Sequence, residues 1–578
     1  MESYCLYYVH NQVLFVAAET AESAYRLYLF LHLPLPVKSP RGSRETVPVS
    51  PHFNKSLISS FLDFSGRQMH EPRLSLKTGA ATVNIDQHPV QVDGATESLR
   101  IREINTNQDH DAFSPHLPPE LISHIFTIYT ENFNSSFDIH RPSAERGPLL
   151  LGAVSKLWRE VAFGTPQLWN TITIQFYIQA WPLDKIKMKI ELVKQWLDRS
   201  RQLPLHISFR AEEMSMWHAK DLWGPIFSLI RNCAPRWHTL VLDICLLLYA
   251  AFLDGLTYAP RLHTLKLGYM VDSPFDNDSS HDPFHLQTPS LKHLAIIDLP
   301  LSSIAVEWGN ITHFEGNNLH VDEFFETLRL ARRLTSCKLH RLRNNLHRYP
   351  LPTIPLIHSA LKRLRLPSVR SLEHFIDLLV FPSLEKFRYK CEGIHSLLPK
   401  SCLISLFNRS RCQLTHFGLL SGELLEDDMD DLISLFFALP TLTHLKFEDL
   451  KFRCYENRGI MTDRLLQKLM PIEGIQAGLL PCLQSLKFCG KQKFLWNCLA
   501  DFIVARLTED NNGSNSPIAD KMAVNRNLPV FRHSIRFISF IVRGCTQAID
   551  LDTRAQFNRA RGAGVSIEIV DELLHRAL

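Results

Sequence analysis

The chain has 578 residues, 45% of them hydrophobic and 21% charged, with a mean hydropathy of -0.07. That composition excludes a disordered, collagen-like or wholly membrane-embedded polymer, and at about 150 residues per domain it predicts roughly four domains unless part of the chain is a repeat array. Lys and Arg number 63 against 59 Asp and Glu, so the balance of +4 is too small to argue for a nucleic-acid partner, and any basic surface has to be local.

The 12 cysteines include no C-x-x-C pair and no Cys/His spacing suited to zinc, which predicts reduced thiols and neither a metal nor a cofactor. The apolar stretch at 27–35 is interrupted by His32 and Pro34 and follows Glu19 and Glu22, so it does not read as a signal peptide. No apolar run approaches the roughly 20 residues that span a bilayer. The expectation is a cytoplasmic or nuclear protein without a membrane partner.

In chain order, residues 1–112 read as a largely irregular or disordered extension, with one weak alternation at 81–92. The texture changes after it. LPPELISHIFTIYT places Leu117, Leu121, Ile125 and Ile128 at helical spacing behind Pro118 and Pro119, which suit a first helical turn. After a polar spacer at 132–147 comes PLLLGAVSKLWREVAFGTPQLW. There Leu150, Leu151, Val154, Leu157, Trp158 and Val161 form one stripe, and Gly164 and Pro166 stop the helix. A helical unit this small cannot bury its whole apolar stripe and is expected to present part of it to a partner.

LPPELISHIF, the Val-Ser-x-x-Trp-Arg-x-x-Ala core and the Thr-Pro-x-Leu-Trp close together resemble an F-box, in the version found in the large F-box families of mushroom-forming fungi. The resemblance covers 113–175, about a tenth of the chain. It implies an all-helical domain docking on a Skp-type adaptor, and through it on a cullin, in a ubiquitin ligase. It places adaptor contact on Leu117, Pro118, Leu121, Ile125, Leu150, Val154 and Trp158.

Across 176–578 the pattern L-x-x-L-x-L recurs as RLHTLKL, SLKHLAI, RLTSCKL, ALKRLRL, SLEKFRY, QLTHFGL, TLTHLKF and CLQSLKF. The copies start 23 to 43 residues apart, with a degenerate ITHFEG copy at Ile311 inside the 43-residue gap. Helical patterns lie between them at 321–330, 371–379 and 432–439. Spacing and alternation predict an α/β architecture, a small helical head followed by an irregular leucine-rich-repeat-like solenoid whose units are stable only when stacked. Repeats thus collapse the four-domain prior.

If the repeated Leu positions face the core, the interleaved positions face solvent. In the eight copies those positions carry nine Lys or Arg, four His and a single acidic residue. The expectation is an electropositive concave face formed by Lys338, Arg363, Arg365, Lys386, Arg388 and Lys446, fitted to an acidic or phosphorylated segment of a protein target. Nucleic acid is the weaker fit, because stacking aromatics are sparse at these positions. No P-loop, G-x-G-x-x-G, H-E-x-x-H or G-x-S-x-G motif occurs, so the chain reads as a non-enzymatic receptor subunit. The alternative is a repeat scaffold with no ligase role.

Overall fold

The computed structural model describes residues 117–134, 147–176, 183–211, 220–253, 255, 258–268, 284–368, 373–391, 398–421, 426–449, 460–470, 479–512, 535–543, 548–571 and 576–577. The extension expected at 1–112, its alternation at 81–92 and most of the spacer lie outside them. The chain divides into two compact units, 1–207 and 208–578.

In the first unit, α1 (Pro119–Asn134), α2 (Pro148–Val154) and α3 (Lys156–Gly164) are followed by a short 3-10 turn at Pro166–Trp169. Then come β1 (Thr171–Phe176), α4 (Leu183–Arg199) and β2 (Leu205–Ala211), in which the division falls. The single second helix expected from the Leu150-to-Val161 stripe is two. Ser155 adopts an extended conformation between α2 and α3, and its side chain accepts a hydrogen bond from the Trp158 backbone N–H at 3.1 Å. A serine there satisfies one of the donors that a helix start leaves open, so the break is capped. Arg159 holds α3 back on α2 by donating to the Gly152 carbonyl at 2.8 Å.

Ile122, Phe126, Leu151, Ala162, Leu168 and Trp169 form the core of this unit. Trp169 donates its indole N–H to the Ala162 carbonyl at 2.8 Å, so the largest buried side chain is also hydrogen bonded. Trp196 of α4 meets Trp169 edge-on at 4.8 Å. The helix that the sequence groups with the repeats therefore packs on the helical core.

The second unit is mixed α/β and is built on a long parallel sheet. Its strands are β3 (Trp237–Asp243), β4 (Thr264–Gly268), β5 (His293–Ile297), β6 (His313–Asn317), β7 (Ser336–Leu339) and β8 (Arg363–Pro367). They continue as β9 (Lys386–Cys391), β10 (His416–Ser421), β11 (His444–Asp449), β12 (Ser485–Lys491), β13 (Phe537–Arg543) and β14 (Ser566–Asp571). From β3 to β14 each strand lies parallel beside the next in chain order. The two-residue β15 (Arg576–Ala577) closes that end antiparallel. Parallel neighbours need a crossover, and the chain supplies helices or 3-10 turns for many of them. The helices are α5 (Lys220–Asn232), α6 (Leu246–Leu253), α7 (Val321–Leu330), α8 (Lys400–Ser410), α9 (Glu426–Phe437), α10 (Asp463–Leu469), α11 (Trp496–Asn512) and α12 (Leu551–Gly562).

Residues 373–378, expected as a helix, form a 3-10 turn. The alternation holds for the inward positions, whereas Gly268, Ala295, Pro367, Gly418 and Ser485, at positions expected to face solvent, are buried as well. Leu265, Leu294, Phe314, Cys337, Leu364, Phe387, Phe417, Leu445 and Leu486 occupy one register row, and all are buried. Ile538 and Ile567 extend that row, so the sheet runs past the last predicted repeat. Buried charges are spent on backbone: Asp322 accepts from the Leu346, Arg348 and Tyr349 N–H groups. Arg506 donates to the Leu469, Leu479 and Leu480 carbonyls. Each anchors loop chain that would otherwise leave polar groups unpaired.

Candidate functional site

Two surfaces hold the residues singled out from the sequence, one in each unit. In the helical unit, seven positions were singled out by resemblance. Leu121, Leu150 and Val154 are 51%, 45% and 54% exposed, on two helices that pack together. Pro118 is exposed as well, and Leu117 and Ile125 are half-buried. Trp158 serves the interior too, with its ring 4.9 Å from Phe126. The core of α1 is Ile122 and Phe126, one position beyond the stripe read from the sequence. Two adjoining stripes lie on this helix, and the sequence reading found the outward one. Helical periodicity fixes the spacing of a stripe and is silent on which of two neighbouring stripes faces inward.

In the second unit, the solvent-facing positions form rows across the sheet. The first row runs His293, His313, Ser336, Arg363, Lys386, His416, His444 and Ser485. The second runs Lys266, Ala295, Glu315, Lys338, Arg365, Arg388, Gly418, Lys446 and Lys487. All six residues expected to meet the target, Lys338, Arg363, Arg365, Lys386, Arg388 and Lys446, therefore lie on one face.

The face is less one-signed than the sequence count suggests. Glu315, from the degenerate copy left out of that count, accepts from Lys338 at 2.8 Å and lies 2.6 Å from the His340 ring nitrogen. The hydrogen bond from His340, together with that from Lys338, holds its carboxyl down at about 2. Glu448 takes Arg388 at 2.8 Å and also pairs with Lys446. Arg388 reaches it by crossing an intervening strand. On that strand Gly418 is opposite Arg388 in register, while Glu448 is opposite Leu420, and a Cβ on Gly418 would lie 2.9 Å from the Arg388 Cγ. Glycine is what lets the guanidinium pass.

Three of the six expected contacts, Lys338, Arg388 and Lys446, are thus partnered by carboxylates on the face itself. Arg363 and Lys386, adjacent in register and exposed, have no carboxylate partner among the described residues. Arg363 instead lies 3.2 Å from the His313 Nε2. The positive centre is therefore in the first row, flanked on both sides by imidazoles. His293 stacks on His313 at 4.2 Å, and His416 on His444 at 4.0 Å with an interplanar angle of 4°.

Among the described residues no group of three or more His, Cys, Asp or Glu could hold a metal ion, and no helix is long and apolar enough to cross a membrane. Described cysteines such as Cys337 and Cys482 are free thiols, and burial pushes the Cys498 thiol up to about 11. No protein-family model and no curated protein matches this chain.

Proposed function

We propose that the protein is a non-catalytic substrate receptor of a Skp-cullin-F-box ubiquitin ligase. In this reading the helical unit is an F-box that docks the adaptor, and the stacked strand-and-helix units are an irregular leucine-rich-repeat-like solenoid that holds the target. The observation that carries it is the exposure of Leu121, Leu150 and Val154 on a unit whose own core is complete without them. Burying a large aliphatic side chain is worth about 1.5–3 kcal/mol, so three on one small unit favour a partner of complementary apolar surface.

The mechanism is proximity: two binding surfaces on one chain raise the concentration of target at the ligase, and other subunits carry out ubiquitin transfer. On the target side the reading rests on Arg363 and Lys386, with Arg365 beside them, and the partner is an acidic or phosphorylated protein segment. The cytoplasm or nucleus, where cullin ligases work, is the matching compartment.

Co-expression of the full chain with a Skp-type adaptor tests the docking half. Co-purification is expected, with loss in the Leu121→Asp/Val154→Asp variant. This pair is preferable to any Trp158 substitution, which also damages the packing on Phe126. A wild-type chain that leaves the adaptor behind points to a repeat scaffold without a ligase role.

A further inference from the structure

The first row of the strand face contains a repeated dipeptide, Thr312-His313, Thr415-His416 and Thr443-His444. In each, the threonine Oγ1 lies 2.8–2.9 Å from the Nδ1 of the histidine that follows it. The hydroxyl has one proton, and it is directed to a carbonyl of the preceding strand segment: Thr312 to Lys292 at 3.3 Å, Thr415 to Glu385 at 3.1 Å and Thr443 to Thr415 at 3.0 Å. Towards the ring the hydroxyl can then only accept, so Nδ1 carries the imidazole proton and Nε2 is bare. His313 supplies an independent check, since its Nε2 accepts from Arg363.

A bare Nε2 is an acceptor and repels an anion; once protonated, the same atom is a donor. His416 and His444 stack face to face, with Lys386 in register beside His416 and Ser485 beside His444. We propose that His416 and His444, together with Lys386, form a proton-coupled oxyanion site that takes the phosphoryl group of a phosphorylated peptide segment and binds one proton as it does so. This rests on the electropositive target face of the proposed function and adds its regulation.

The groups around the pair set the sign of the coupling. Burial, then the neighbouring His444 and Lys386, holds His416 down at about 4, with Glu385 acting in the opposite direction. Glu385 is itself paired with Lys362 at 3.0 Å. Burial, then Lys386 and Lys487, lowers His444. Thr415, Thr443 and Gly418 add no charge, and Lys446 is paired with Glu448. The empty site is therefore neutral at its imidazoles near pH 7. A dianion between Lys386 and the ring edges supplies the compensating charge, raises the imidazole pKa and draws a proton from solvent. By linkage, affinity for a dianion rises as pH falls from the bound-state pKa towards about 4, and a midpoint shift of about one pH unit limits the gain to about tenfold in all. Two rings 4.0 Å apart cannot both charge easily, which limits uptake to one.

The test is a pH titration of the full chain labelled with ring-13C histidine, with and without sodium sulfate, using sodium chloride at matched ionic strength as reference. Sulfate is a dianion that does not titrate in this range. The His416→Asn and His444→Asn variants assign the two signals. Sulfate should raise the midpoint of the pair by about one pH unit. The Arg363→Ala/Lys386→Ala variant should abolish the shift. Sulfate that binds with unmoved midpoints, or moves every histidine alike, ends the proton coupling and leaves electropositive capture standing. Sulfate that does not bind at any pH ends both.

Discussion

The two units expose opposite chemistries built in opposite ways. The helical unit shows three large aliphatic side chains on two helices that pack together, and its interior is closed by Trp169 and its neighbours. The strand face of the second unit shows Lys, Arg, His and two carboxylates in register rows. An apolar patch gains affinity from area removed from water, whereas a charged row gains selectivity from where its partners are missing. On the strand face the informative residues are accordingly Arg363 and Lys386, adjacent exposed cations with no carboxylate partner among the described residues, rather than the longest run of positive charge.

The largest expected effect breaks the helical side of this contrast. Trp169→Ala removes a fully buried, hydrogen-bonded ring and should cost about 3–5 kcal/mol, read from denaturant unfolding of the helical unit. Leu121→Asp with Val154→Asp changes side chains that are about half exposed and outside the buried core, so stability should change by no more than about 1 kcal/mol per site while adaptor binding is lost.

On the strand face, Gly418→Val should push Arg388 off Glu448, and Glu448→Gln should release Arg388 and Lys446 together. Either change should strengthen sulfate binding a few-fold, measured by titration at fixed ionic strength, because a carboxylate stops competing for the cations. The smallest effect concerns acid stability. The Glu315 carboxyl is held at about 2, below its ordinary 4.5. Its contribution is present above pH 4.5, fades as pH falls through that window, and is of order 1 kcal/mol or less for a partly exposed pair. Glu315→Gln should flatten the stability profile between pH 4.5 and 2, and an unaltered profile would show that the bridge contributes nothing.

The alternation of the repeat copies was enough to assign sides to the strand residues, because a strand has a period of two and the Leu triplets fix the phase. The template missed β3, β13 and β14, where Trp237, Ile535 and Ile538, or Ile567 and Ile569 stand in for leucine. It also missed the pairing of the face. Glu448 is 60 residues from Arg388, and only the stacking of three strands, with a glycine opposite Arg388 on the middle one, brings them together. The docking role proposed for residues on α1 and α2 comes from the resemblance alone. What the sequence could not supply was the break at Ser155 and the choice between the Leu121 and Ile122 stripes, both of which depend on packing against Trp158 and Trp169.

The central claim is that one chain carries two independent binding surfaces, an apolar one for the adaptor and a charged one for the target. It is tested most directly by titrating a Skp-type adaptor into the full chain, the Leu121→Asp/Val154→Asp variant and the Arg363→Ala/Lys386→Ala variant. The prediction is tight binding by the wild type, loss in the first variant and wild-type affinity in the second. Equal binding by all three, or none by the wild type, would contradict it.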